Sequence, residues 1–140
     1  MPRRSTTASN SISGASASLS RLPNAERAEL DRRKFTAYSM APENPRNRGK
    51  WKAWREVGYD VHNAREQAAD DVIRQIEPQV PVASARAGKR SEYGQRFETE
   101  YLIIGPNGRR GTVFAVWQID GGSAVPRLLT NLLKVHKEGR

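Results

Sequence analysis

Phe97-Glu98-Thr99-Glu100-Tyr101-Leu102-Ile103-Ile104-Gly105-Pro106-Asn107-Gly108 is the stretch whose reading decides the fold. Phe97, Thr99, Tyr101 and Ile103 alternate with Glu98, Glu100, Leu102 and Ile104, which is the two-residue period of a strand. Gly105 to Gly108 is a turn signal. Working forward, Val113, Ala115, Trp117 and Ile119 form one face of a second strand, and Asp120-Gly121-Gly122 marks another turn. Arg127 to about Val135 reads as the last strand. It carries Leu129, Leu133 and Val135 on one side and Leu128, Thr130 and Leu132 on the other, so it is expected to be central and buried on both faces. Working backward, Arg86 to Ser91 reads as a basic, mobile loop, and Gln79 to Ala85 as a short edge strand.

The period changes to that of helices earlier in the chain. Asp31 is a suitable N-cap for a short helix running to about Met40, with Leu30 and Phe35 at the two positions of a hydrophobic staple. Phe35 and Tyr38 share a face of that helix and read most simply as core. Pro42 and Pro45 end it. A second helix follows and ends at Gly58, and Asp60 caps a third. In the third, Val61, Ala64, Ala68, Val72 and Ile76 form an apolar stripe that stops at Pro78. The expected fold is α+β, with about three N-terminal helices packed on a three- to four-stranded antiparallel β-meander. One sheet face is covered by helices, and the other face or its rim is left for a ligand. Residues 1–21 are expected to be a disordered Ser/Thr/Ala-rich tail, 22–136 a single basic domain, and 137–140 a C-terminal tail.

Composition narrows the chemistry. The chain has 140 residues, 24 Lys and Arg against 15 Asp and Glu, and a formal net charge of +9. That balance favours an acidic partner, with RNA or DNA first and an anionic membrane surface or an acidic protein second. There is no cysteine, which excludes disulfides, a thiol nucleophile and thiolate metal sites. His62 and His136 are isolated, so neither a metal nor a cofactor is expected. No apolar run approaches the length of a membrane span. The Arg- and Ser-containing N-terminus lacks a secretory apolar core. It resembles an organellar transit peptide less well than it fits a plain flexible tail. The expected compartment is the bacterial cytoplasm, with delivery into a target cell as the toxin-like variant.

The second helix carries the densest signal. Asn44-Pro45-Arg46-Asn47-Arg48-Gly49-Lys50-Trp51-Lys52-Ala53-Trp54-Arg55 interleaves Arg46, Arg48, Lys50, Lys52 and Arg55 with two tryptophans. Cations between large rings suit phosphate backbones and bases; they equally suit a helix buried on one side and wet on the other. On a helical wheel Trp51, Ala53, Trp54 and Val57 share a side, with Arg48, Lys52 and Arg55 opposite. Lys50 falls with the tryptophans, so it must snorkel out, find a partner or titrate abnormally.

With histidine and cysteine set aside, the candidate catalytic residues are Lys50, Arg96, Arg127 and Thr130. Arg46, Arg48, Lys52, Arg55, Tyr93, Trp51 and Trp117 are the candidate nucleic-acid contacts. Such a set can cleave RNA, which supplies its own nucleophile in the 2′-hydroxyl. The protein must hold the phosphate in line, stabilise the added charge and move a proton. Each residue also has a structural reading: Arg96 and Arg127 as partners of Glu98 or Glu100, Tyr93 and Trp117 as core, and Thr130 as an ordinary strand residue.

Leu22-Pro23-Asn24-Ala25-Glu26-Arg27-Ala28, Asp31, Tyr38, Asn44-Pro45, Lys50, Trp54 and Gly58 resemble, in that order, a small bacterial domain family of unassigned function with toxin-like contexts. Glu92-Tyr93-Gly94-Gln95-Arg96, Gly105-Pro106-Asn107-Gly108, Trp117 and Pro126-Arg127-Leu128-Leu129-Thr130 continue the resemblance, which spans roughly residues 22 to 133. The family pattern His-Pro-x-Gly-Arg-x-Lys-Ala is departed from here. Asn44 stands at its histidine, Asn47 at its glycine and Trp51 at its alanine, while Pro45, Arg48 and Lys50 are kept. The order of helices before an antiparallel sheet is also similar to metal-independent ribonuclease toxins of the barnase, EndoU, colicin and RelE type. By that analogy Lys50 faces the sheet while Arg96, Arg127 and Thr130 surround the scissile phosphate. The expectation is a toxin-like, metal-independent ribonuclease. A non-catalytic nucleic-acid-binding or accessory protein is the alternative, favoured by Asn44. A protein-interaction module, one half of a pair with an acidic or immunity protein, is the second alternative.

Overall fold

A computed structural model describes residues 19–137. Its body is a five-stranded antiparallel sheet in chain order: β1 (Leu19–Arg21), β2 (Ser84–Ser91), β3 (Gly94–Ile104), β4 (Arg110–Asp120) and β5 (Pro126–Val135). Among the described residues two α-helices accompany it, α1 (Trp51–Glu56) and α2 (Arg65–Ile76), with single helical turns at Ala25–Arg27, Phe35–Ser39 and Glu77–Gln79. This corrects the expected fold of about three helices on a three- to four-stranded meander. Among the described residues the strands outweigh the helices, which are few and short.

Two strands account for the difference. Arg86 to Ser91 is no loop: it belongs to β2, which pairs with β3 from Ala85↔Thr99 to Ser91↔Gly94 across a bulge between Ala87 and Arg90. Its side chains are nearly all exposed, so no apolar period announces it. Leu19–Arg21, placed in the tail on sequence, pairs with Arg86 to Ser84 as β1. The rest of the expected tail, residues 1–18, lies outside the described residues. A further correction concerns β5. It is an edge strand, and Leu132 is 38% exposed on it rather than buried in a central position.

The alternation in β3 produces the core. Thr99, Tyr101 and Ile103 are buried while Glu98, Glu100, Leu102 and Ile104 are exposed. Val113, Ala115 and Trp117 of β4 and Leu128 and Leu133 of β5 join the same buried face. Ala68, Ala69, Val72 and Ile76 of α2 and Trp54 and Val57 at α1 complete the cluster. Beyond Thr99 the β2 edge of β3 has no strand partner, and two glutamines take that place. Gln79 donates to the Leu102 carbonyl at 2.7 Å and accepts from its amide at 3.0 Å; Gln75 does the same for Ile104, with both contacts at 2.9 Å. One turn apart on a helical segment, the two side-chain amides follow the ladder of an absent strand.

The turn after β3 anchors α1. Asn107 donates its side-chain amide to the Glu56 carbonyl at 2.9 Å and its backbone amide to the Val57 carbonyl at 3.3 Å. These are the carbonyls that a helix end leaves unsatisfied. Gly105 makes the approach possible, since a Cβ there would lie 2.0 Å from the Val57 carbonyl oxygen.

Candidate active site

The site is built from the N-terminal half and one sheet edge. Glu29 bridges Arg127 in parallel, its amide donating to the Pro126 carbonyl at 2.8 Å and its carbonyl accepting from Leu128 at 3.1 Å. The Asn131 amide holds the Lys34 carbonyl at 3.1 Å. The segment 29–34 therefore runs along β5 and delivers the next turn beside it. Asp31 starts that turn by accepting from the Arg33 amide at 3.0 Å. Phe35–Ser39 then form a π turn, closed by the Met40 amide on the Phe35 carbonyl at 2.9 Å. Phe35 is fully buried, while Tyr38 is half-buried and faces β5.

Two asparagines tie the basic stretch to this turn. Asn47, 1% exposed, donates to the carbonyls of Tyr38 and Ser39 at 2.6 and 3.0 Å and accepts from the Trp51 amide at 3.0 Å. Asn44 donates to the Ala37 carbonyl at 2.8 Å and accepts from the Arg46 amide at 2.8 Å. Both clamps place the N-terminus of α1 against the π turn, and the Lys50 ammonium donates directly to the Tyr38 hydroxyl. The Thr130 side chain hydrogen-bonds to the same phenol. Burial alone raises the Tyr38 phenol. The hydrogen bonds from Lys50 and Thr130, with the charges of Lys50 and Arg46, outweigh it and hold its pKa below the ordinary value near 10.

Tyr38 lies in the wall of an open cleft of about 580 Å³, which is also lined by Arg33, Lys34, Arg46, Asp31, Leu129 and Thr130. Three cations against one carboxylate give its lining a net positive charge. Asp31 is occupied by Arg33, whose guanidinium donates to it at 3.1 Å and lowers its pKa. Among the described residues no group of three or more His, Asp or Glu side chains is placed to hold a metal.

Of the residues singled out in the sequence, Lys50, Thr130 and Arg46 converge here. Arg127 does not line the cleft. It holds Asp120 at 2.7 and 3.1 Å and keeps that carboxyl below its usual range. Arg96 reaches Gln118 at 3.4 Å on the outer sheet face. Trp117 is wholly buried, its indole donating to Thr99 and Tyr101, so no base can stack on it. Tyr93 is 71% exposed at the β2–β3 turn, outside the cleft. Arg48, Lys52 and Arg55 are exposed on or before α1. Trp51 is half-buried beside them, flanked by Lys52 at 5.9 Å and Arg55 at 5.4 Å and set edge-on to His62 at 5.2 Å. The residue that sequence reasoning missed is Tyr38, taken as core because it shares an α-helical face with Phe35. The signal available was its position within the recurrent motif order, ahead of Asn44-Pro45 and Lys50.

No helix of the described residues is long and apolar enough to cross a membrane. A family model described as Domain of unknown function (DUF6883) matches residues 21–134. No curated protein and no solved structure matches the chain.

Proposed function

The chain belongs to the DUF6883 family, whose description assigns no activity, and from the cleft we propose that it is a metal-independent ribonuclease with Tyr38 as its general base. The single observation that carries this reading is the Tyr38 hydroxyl held between the Lys50 ammonium and the Thr130 side chain in a cationic cleft. A depressed phenol pKa raises the ionised fraction near neutrality, which is what a base requires. The phenolate takes the proton of the ribose 2′-hydroxyl. The 2′-oxygen then attacks the adjacent phosphorus, and the bond to the 5′-oxygen breaks. Lys50 stabilises the charge on the phosphorane and gives the departing 5′-oxygen its proton. A 2′,3′-cyclic phosphate and a free 5′-hydroxyl result. Tyr38, now protonated, returns its proton to neutral Lys50 through their shared hydrogen bond, which restores both groups. Arg33, Lys34 and Arg46 hold phosphates, and Trp51 offers a stacking face for a base.

The test is total RNA incubated in EDTA with wild-type protein, Tyr38→Phe, Lys50→Ala and Arg127→Ala, each checked for folding by circular dichroism. Fragments with cyclic phosphate ends are expected from wild type and from Arg127→Ala. Both cleft variants are expected to lose about 100-fold or more in rate. Intact RNA with folded wild type overturns the reading.

The alternative, a non-catalytic nucleic-acid-binding protein, is favoured by one observation. Asn44, at the position of the motif's histidine, is occupied by backbone partners and offers no acid–base group. Its signature is a salt-dependent mobility shift of uncleaved RNA, weakened by Arg46→Ala and Lys52→Ala.

A further inference from the structure

Next to the Lys50 end of α1 lies a groove that the cleft does not include. It measures about 390 Å³ and is lined by the side chains of Trp51, Lys52, Arg55 and Glu56. Trp51 packs on the core with one side and stays half-buried, which holds its ring in place. His62 packs against that ring with the two planes 74° apart. Lys52 and Arg55 are exposed and hover over the ring at 5.9 and 5.4 Å from its centroid. Among the described residues neither side chain has an ion-pair or hydrogen-bond partner, so both can turn their N–H groups to a ligand. Glu56 differs. Arg109 donates to its Oε2 at 2.8 Å, which orients the carboxylate and leaves Oε1 as the acceptor of the groove.

The groove thus surrounds a stacking ring with two donors and one acceptor, and only one base matches all three. Guanine carries N7, O6 and N1–H in that order along its rim, two acceptors followed by a donor. Arginine or lysine on O6 and N7 is the commonest specific contact to any base, and a carboxylate oxygen accepts from N1–H. Adenine has an amino group where the cations need an acceptor and a bare N1 where Glu56 needs a donor. Uracil matches with O4 and N3–H but has no counterpart of N7. Stacking on an aromatic ring tolerates every base, so the edge contacts carry the choice. Trp51 follows Lys50 directly, about 100° around the helix. On the ribonuclease reading, on which this placement rests, the base on Trp51 belongs to a nucleotide next to the scissile phosphate.

We propose that the Trp51 groove is a guanine subsite: the indole stacks the base, Lys52 and Arg55 donate to O6 and N7, and Glu56 Oε1 accepts from N1–H.

Titration of the full chain with each of the four nucleoside 5′-monophosphates, followed by tryptophan fluorescence, tests this. Trp54 and Trp117 are wholly buried, so quenching reports Trp51. Guanosine monophosphate is expected to bind about tenfold more tightly than the adenosine, uridine and cytidine nucleotides. Its 7-deaza analogue, which lacks the N7 acceptor, is expected to bind about tenfold more weakly than the parent. Arg55→Ala and Lys52→Ala are each expected to reduce the guanosine-over-adenosine ratio several-fold; both positions are exposed, and folding is checked by circular dichroism. If a variant fails to fold, the 7-deaza analogue decides. Equal binding of all four nucleotides, no quenching by any, tightest binding of another base, a 7-deaza analogue as tight as its parent, or a ratio unchanged in both folded variants overturns the proposal. The titration involves no cleavage. Guanine preference in a protein that leaves RNA intact would overturn the ribonuclease and keep the subsite, whereas cleavage without the preference would do the reverse.

Discussion

The contact between Tyr38 and Lys50 is held in place by residues that touch neither the phenol nor the ammonium. Asn47 is the clearest case. Its amide spans the Tyr38 and Ser39 carbonyls and its oxygen receives the Trp51 amide, so one buried side chain fixes both the π turn and the start of α1. Lys50 sits between those two anchor points in the chain. Removing the amide leaves buried backbone groups without partners, at a cost of about 1–3 kcal/mol each. Asn47→Ala is therefore expected to lower the denaturant midpoint. In the population that remains folded it is expected to lower RNA cleavage through a poorer Lys50–Tyr38 contact. Equal specific activity of folded wild-type and Asn47→Ala protein would show that Asn47 does no positioning. The phenol also explains why the site was hidden. On an ideal α-helix Phe35 and Tyr38 lie about 60° apart and share the core. The wider π turn rotates them apart, so Phe35 enters the core and Tyr38 turns to β5. Residue periodicity carries no sign of a π turn.

At the scale of elements, the legible strands were those with one wet and one dry face. Thr99, Tyr101 and Ile103 against Glu98, Glu100 and Leu102 reproduce the observed burial of β3. β2 was illegible because its Ala85 is the one buried residue amid charged and small ones. Its strand state comes from pairing with β3 rather than from its own pattern. The apolar run in β5 invited a central position, yet Leu132 serves the bare outer face. The Gln75–Gln79 pair was equally unreadable, since glutamine on a helix ordinarily meets water. Here the pair completes an edge that would otherwise expose the amides and carbonyls of Leu102 and Ile104. Gln79→Leu is expected to destabilise the fold by about 1–3 kcal/mol in urea denaturation, and Gln75→Leu by a similar amount. Amide exchange is expected to quicken at Leu102 and Ile104 first. Unchanged exchange at both amides would mean the glutamines are ornamental.

Across the whole molecule, the formal charge of +9 divides into separate regions. Arg33, Lys34, Arg46 and Lys50 gather around the cleft at the β5 edge, whereas Arg96 and Arg127 lie on the outer sheet face, engaged with Gln118 and Asp120. The sequence-level expectation of one convergent cationic set thus resolves into a cleft that keeps Lys50, Thr130 and Arg46 and replaces the strand arginines with a tyrosine. Convergence is a tertiary property, set here by the Glu29–Arg127 bridge and the asparagine clamps, and spacing along the chain does not encode it.

The central claim is that ionised Tyr38 takes the proton of the 2′-hydroxyl. Its most direct test is the pH dependence of single-turnover cleavage of an end-labelled RNA in EDTA, corrected for enzyme-free hydrolysis. The active form of the phenol is the deprotonated one, so the rate must rise with pH through the Tyr38 ionisation and level above it. Because Lys50, Thr130 and Arg46 hold that ionisation below the ordinary phenol value near 10, the rise is expected below pH 10. Tyr38→Phe is expected to abolish this rising limb and leave a slow residual rate. A rising limb of the same position and height in Tyr38→Phe would contradict the assignment.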